Sequence, residues 1–257
     1  MSGLTVEREG AVARVWLDRP ARRNAFDAEL IAAVHEAFTS FAADETLRAV
    51  VLAGRGEAFC AGADLEWMRA SGELTHERNV ADAERAAEMF AAVDGCPVPV
   101  IARLHGYALG GGTGLACCCD IVLARADARF GFTEVRLGLI PATIAPFAVA
   151  RIGRSHARAL FLTGELFDAE HALAIGVAHE VHADDRALDA AVERTLASVL
   201  RGGPAAIRAA KALIARLRDG DPASQSLAAA DALAERRASD EGREGIAAFL
   251  ERRDPGW

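Results

Sequence analysis

His105-Gly106-Tyr107-Ala108-Leu109-Gly110-Gly111-Gly112-Thr113-Gly114 is the stretch from which the rest of the chain can be read. The apolar run Pro99 to Leu104 precedes it and an apolar segment through Cys119 follows, so the order is strand, glycine loop, helix. Three consecutive glycines are costly for a mere turn, because glycine loses the most backbone entropy on folding. They let a ligand approach the backbone closely, and a helix start offers unpaired amides at the positive end of its dipole. The G-x-G-x-x-G spacing is only loosely met and no phosphate-loop lysine follows, which argues against a nucleotide loop.

A second loop of this kind, Ala58-Phe59-Cys60-Ala61-Gly62-Ala63-Asp64, follows the buried-strand run Arg48 to Ala53. Working outward, Thr5 to Arg8 and Ala11 to Asp18 alternate around Glu9-Gly10 as a hairpin. Ala28 to Ala43 reads as a helix with Asp27 as its N-cap. His76 to Val93 reads as another, with Val80, Ala83, Ala87 and Phe90 as its apolar stripe. Asp120 to Ala124 returns as a strand. Strand, loop and helix thus recur between residues 11 and 131, which fits an α/β spiral of ββα turns better than a single wound sheet. After Pro141 the pattern becomes helical: Ala148 to Leu162, Ala169 to Ile175, Arg186 to Leu200, Pro204 to Arg218, Pro222 to Ala238 and Glu241 to Arg253. The expected organisation is a core over residues 1–200 and a helical region over 201–257. Helices this late and this exposed need a surface to cover, on the spiral or on another subunit.

The 257 residues are 52% hydrophobic, enough for a packed core, and carry a formal charge of −8, which disfavours broad nucleic-acid binding. No apolar run reaches the ~20 residues of a membrane span. The start Met1-Ser2-Gly3-Leu4-Thr5 does not read as a signal peptide, so a cytoplasmic protein is expected. Cys60, Cys96 and the triplet Cys117-Cys118-Cys119 are odd in number and fit no disulfide framework. Adjacent helical residues diverge by about 100°, so the triplet cannot converge on one metal, and buried packing is expected for all five. None of the seven histidines has metal-ligand spacing, and no G-x-S-x-G occurs. His105 is expected to cap or pack.

The two loops resemble those of the enoyl-CoA hydratase/isomerase, or crotonase, superfamily. The same order of strings supports this: Arg22-Arg23-Asn24-Ala25, Cys119-Asp120, Phe130-Gly131-Phe132-Thr133-Glu134, Leu137-Gly138-Leu139-Ile140-Pro141 and Leu162-Thr163-Gly164. The resemblance covers nearly the whole chain. It implies a crotonase-like spiral with a C-terminal helical trimerisation region, assembled as a homotrimer or homohexamer. It implies an acyl-CoA thioester substrate, coenzyme A being part of that substrate and no separate cofactor being needed. The matched positions place oxyanion-hole amides at Ala61 and Gly111 and the proton-exchanging carboxylate at Glu134. The coenzyme would lie against Arg22, Ala25, Ala61, Gly62, Ala63, Asp64 and Gly111, with Arg252 reaching a neighbouring subunit's coenzyme.

One position departs from the family. Its two-glutamate hydratases carry a further Glu two residues after the third glycine, where this chain has Gly114. Three outcomes follow: Glu134 handles both protons, another acid (Asp64, Glu66 or Glu88) enters, or the reaction is isomerisation with Glu134 alone. The string Leu139-Ile140-Pro141-Ala142-Thr143-Ile144-Ala145-Pro146-Phe147, with Gly114-Leu115, is similar to bacterial hydratases of methylglutaconyl- and isohexenylglutaconyl-CoA. That favours a hydratase, with a substrate carboxylate ordering water in place of the absent Glu. A non-catalytic acyl-CoA-binding protein is the reading from another class, disfavoured by the retained Glu134.

Overall fold

The computed structural model describes residues 3–217 and 221–257. Met1 and Ser2 of the expected start, and Arg218 at the end of an expected helix, lie outside the described residues. In chain order the elements are β1 (Leu4–Glu9), β2 (Val12–Leu17), α1 (Ala28–Ala43), β3 (Ala49–Gly54), α2 (Leu65–Ser71), α3 (His76–Asp94), β4 (Val100–Leu104), β5 (Tyr107–Leu109), α4 (Gly111–Cys118), β6 (Ile121–Arg125) and β7 (Arg129–Gly131). They continue with α5 (Ala145–Thr163), β8 (Leu166–Asp168), α6 (Ala169–Ala174), β9 (Glu180–His182), α7 (Asp185–Arg201), α8 (Pro204–Arg216), α9 (Pro222–Ala238) and α10 (Asp240–Glu251). Short 3-10 turns occupy Pro20–Arg22 and Glu134–Leu137.

One sheet runs β1-β2-β3-β4-β6-β9, antiparallel at β1–β2 and parallel beyond. A smaller one runs β5-β7-β8. The period-2 alternation of strands assigns the apolar side chains to two cores. Val50, Leu52, Val100, Ala102, Leu104 and Val122 join the main core with α1, α3, α4 and α5. Ala49, Val51, Ile101 and Leu123 face the other way, onto Leu188, Ala191, Val192 and Leu196 of α7. This is why β3 reads as an uninterrupted apolar run: both of its faces are covered.

The expected hairpin and the expected α1 form as read, with Asp27 accepting a hydrogen bond from the Leu30 amide at 2.8 Å. The stripe expected on α3 is shifted. The helix buries Ala86, Met89, Phe90 and Val93, while Val80 and Ala83 are exposed. Only the C-terminal half of α3 is pressed into the core; its N-terminal half borders a cavity, which Ala83 lines. All five cysteines are free and buried, and burial pushes the Cys60 and Cys117 thiols up to about 12.

Candidate active site

Both glycine-containing loops converge because their backbones are tied to each other. The Cys60 amide donates to the Tyr107 carbonyl at 2.9 Å, and the Leu109 amide donates back to the Cys60 carbonyl at 3.0 Å. A side chain on Gly112 could not fit, since its Cβ would stand 2.3 Å from the Cys60 carbonyl oxygen. Asn24, fully buried with φ 57°, holds a third segment in place. Its Nδ2 donates to the carbonyls of Arg55 and Ala58 at 2.9 and 2.8 Å, and its Oδ1 accepts from the Arg19 amide at 2.8 Å.

The backbone pairing in the first loop decides which amides are free. The Ala61 amide, expected to face a ligand, donates instead to the Arg23 carbonyl at 2.9 Å. Phe26 donates to the Gly62 carbonyl at 2.7 Å and accepts from the Asp64 amide at 2.8 Å, a parallel bridge. Backbone groups alternate in direction along such a segment, so the Ala63 amide turns away from Phe26, and among the described residues no group accepts from it. The free oxyanion-type donor in this loop is therefore Ala63, and the expectation for Ala61 is corrected. In the second loop the Gly110 amide donates to the Gly131 carbonyl at 2.7 Å, whereas Gly111 opens α4 with an unpaired amide, as expected of a first helical residue.

Ala63 and Gly111 line one cavity of about 780 Å³. Of the residues expected at the site, Arg22, Ala25, Ala61, Gly62, Asp64 and Glu134 line it too. Arg252 does not: it is the left-handed C-cap of α10, exposed and away from the cavity. Asp64 is committed to structure, capping α2 through the Glu66 amide at 2.9 Å and facing Arg19 at 3.5 Å. Glu66 pairs with Arg22 at 3.0 Å outside the cavity, and Glu88 is exposed and outside it. None of the three is a free acid in the chamber.

Glu134 begins the 3-10 turn after β7. Its Oε1 lies against Gly110, where an added Cβ would stand 3.1 Å away, and its Oε2 is buried with no hydrogen-bond partner. Burial raises its pKa above the ordinary carboxylate value, opposed only by its own backbone amide. A poorly solvated carboxylate in a cavity that two unpaired amides also line combines a proton-transfer group with anion-stabilising donors.

The apolar walls of the chamber were less visible in the sequence. Phe26 and Phe90 close on Gly111, whose added Cβ would meet both rings, and they meet edge to face at 6.1 Å. Met68, Met89 and Ile144 also line it. Phe90 was legible as an apolar helical position, but its facing Gly111 depends on packing of α3 against α4. His105 packs, as expected, its Nε2 lying 2.9 Å from the Gly56 carbonyl.

The family described as Enoyl-CoA hydratase/isomerase matches residues 7–257. The 2,3-dehydroadipyl-CoA hydratase of Escherichia coli K12 is 34% identical, over 99% of this chain and 98% of that one. The crystal structure of an enoyl-CoA hydratase from Shewanella pealeana superposes with a TM-score of 0.95 at 37% identity, covering 99% of this chain and 96% of that one. Pseudomonas aeruginosa AtuE gives 0.96 at 36% identity, covering 99% of each. Together with the paired loops, these matches identify the chain as a member of the enoyl-CoA hydratase/isomerase family.

Proposed function

We propose that this chain is a hydro-lyase that adds water across the 2,3 double bond of an enoyl-CoA thioester. The observation that carries the reading is Glu134: a half-buried carboxylate whose Oε2 is buried without a partner, in the chamber that Ala63 and Gly111 line with free amides. The thioester oxygen takes up negative charge as an enolate-like state forms. Fixed donors in a dry pocket stabilise such charge by about 2.7–4 kcal/mol each. Ala63 and Gly111 are assigned that role. As the water oxygen bonds to C3, the Glu134 carboxylate receives a proton, and C2 gains one from the carboxyl, which regenerates the carboxylate.

Coenzyme A enters as part of the substrate. Its arm is assigned to Arg22, Ala25 and the Gly62–Asp64 segment, and Arg252 to the coenzyme of a neighbouring subunit. A homotrimer or homohexamer, built through the 201–257 helical region on a core of residues 1–200, belongs to the same proposal. Its support is that α8 to α10 bury only Ala248 and leave Phe249 83% exposed.

The finer reading is a branched glutaconyl-CoA substrate whose own carboxylate orders water. That relatives of this family act on carboxylated acyl groups is supported by the 2,3-dehydroadipyl-CoA hydratase, 34% identical. A markedly higher kcat/KM for a branched glutaconyl-CoA than for crotonyl-CoA is expected; equal rates sink that reading. A second reading, double-bond isomerisation by Glu134 alone, is favoured by the lack of any other free carboxylate among the described lining residues. Product analysis separates them, since hydration yields a hydroxyacyl-CoA and isomerisation a shifted alkene.

A further inference from the structure

One side chain closes the cavity wall behind α4. The Gly114 amide donates to the Gly110 carbonyl at 3.0 Å, so the two residues are one helical turn apart on the same face. At Gly110 that face meets Glu134. At Gly114 it meets Ile144: an added Cβ would stand 2.2 Å from Ile144 Cγ2 and 2.6 Å from Ile144 Cβ. Ile144 is 1% exposed and also lines the chamber. The clash is with the root of a β-branched side chain, which is stiff at χ1 and cannot swing aside as a long flexible one would. No side chain fits at position 114 while Ile144 stands there.

The other carboxylates that line the chamber are engaged. Asp64 caps α2 and faces Arg19, and Asp82 is paired with Arg85. Glu134 is the one lining carboxylate that faces no cation among the described residues; only its own backbone amide acts on it, and its Oε2 has no partner.

We propose that Ile144 is a specificity-determining residue: by filling the space over Gly114 it bars an acid or base from that face of α4 and keeps the chamber at one free carboxylate. The proposal rests on the hydratase reading for its chemistry and on packing alone for its structural half. It gives the preference for a substrate that brings its own polar group a cause in this chain, since the wall that would hold a second proton-handling group is apolar.

The test compares the unmutated chain with Gly114→Ala, Ile144→Gly, the pair Gly114→Ala with Ile144→Gly, and the pair Gly114→Glu with Ile144→Gly, because glycine at 144 removes the Cβ as well as the Cγ2 that the added group would meet. Gly114→Ala is expected to lower Tm in the unmutated background and to cost much less beside Ile144→Gly. The Glu-bearing pair is expected to show a second ionisation in its kcat/KM–pH profile. It should also turn over crotonyl-CoA at least about a hundredfold faster than Ile144→Gly, the low end of what a placed proton-transfer group supplies. Gly114→Ala with unchanged Tm, or with the same loss in both backgrounds, overturns the proposal. So does a folded Glu-bearing pair with the rate and pH profile of Ile144→Gly. Should that pair not fold, the Tm comparison of the alanine variants decides. Failure of the unmutated chain on every enoyl-CoA overturns the hydratase reading itself, which this design distinguishes from a failed Gly114–Ile144 coupling.

Discussion

Glu134 is held where an ionised carboxylate is expensive, between Gly110 and the chamber with Oε2 unpartnered. Its raised pKa means that the folded chain keeps this proton at pH values where the unfolded chain releases it. Stability then falls as pH rises from the ordinary glutamate range through the raised folded value, because the unfolded state binds fewer protons there. Glu134→Gln removes that loss. Its Tm relative to the unmutated chain should be higher near neutral pH, and the difference should vanish below the ordinary range; a difference independent of pH contradicts the assignment. The rising limb of kcat/KM, where ionised Glu134 is required, should likewise sit above the usual carboxylate range. At this scale the carboxylate was legible from its motif, but the donor register was not. Ala61 and Ala63 are both small residues around one glycine. What separates them is the Arg23 carbonyl, which takes the Ala61 amide, and the Phe26 bridge, which leaves that of Ala63 free. Partners more than thirty positions away cannot be read from the loop itself.

Among the elements, α4 matters most, and Thr113 sets its place. Its buried hydroxyl lies 2.5 Å from the Ala108 carbonyl on β5 and accepts from the Gly131 amide on β7 at 3.2 Å. One side chain therefore joins the helix carrying Gly111 to the strands leading to it and to Glu134. Thr113→Val keeps the shape and removes the hydroxyl, leaving the Gly131 amide without that partner. A loss of about 1–3 kcal/mol in denaturant unfolding is expected, with kcat falling more than KM rises. Unchanged stability would show that water or a shifted backbone replaces the bond. The long helices and the β1–β2 hairpin were legible because caps and periodicity are local. The three-residue strands β5, β7, β8 and β9 were not, being too short to show alternation and defined only by their partners. The short helix α2 was expected only as the helix into which the Ala58–Asp64 loop leads, and it starts directly after its cap, Asp64. The α3 stripe was misplaced because half of that helix serves the cavity rather than the core.

Across the whole molecule, the C-terminal helices are anchored at few points. Lys211 of α8 pairs with Asp120 at 2.6 Å, and Arg208 reaches the carbonyls of Asp44 and Leu47, both at 2.9 Å. Beyond α8, Leu227, Ile246, Phe249 and Leu250 remain exposed, an apolar surface of the kind that subunits cover. The double substitution Phe249→Asp and Leu250→Asp should lower the sedimenting mass to that of one chain. An unmutated chain that already sediments as a monomer contradicts the assembly. The most direct measurement incubates the unmutated chain and Glu134→Gln with an enoyl-CoA and quantifies the hydroxyacyl-CoA formed. The account predicts hydration by the unmutated chain and a loss of about a hundredfold or more in kcat in the variant, with thioester binding nearly unchanged. A Glu134→Gln variant that forms the water adduct at the unmutated rate would contradict it.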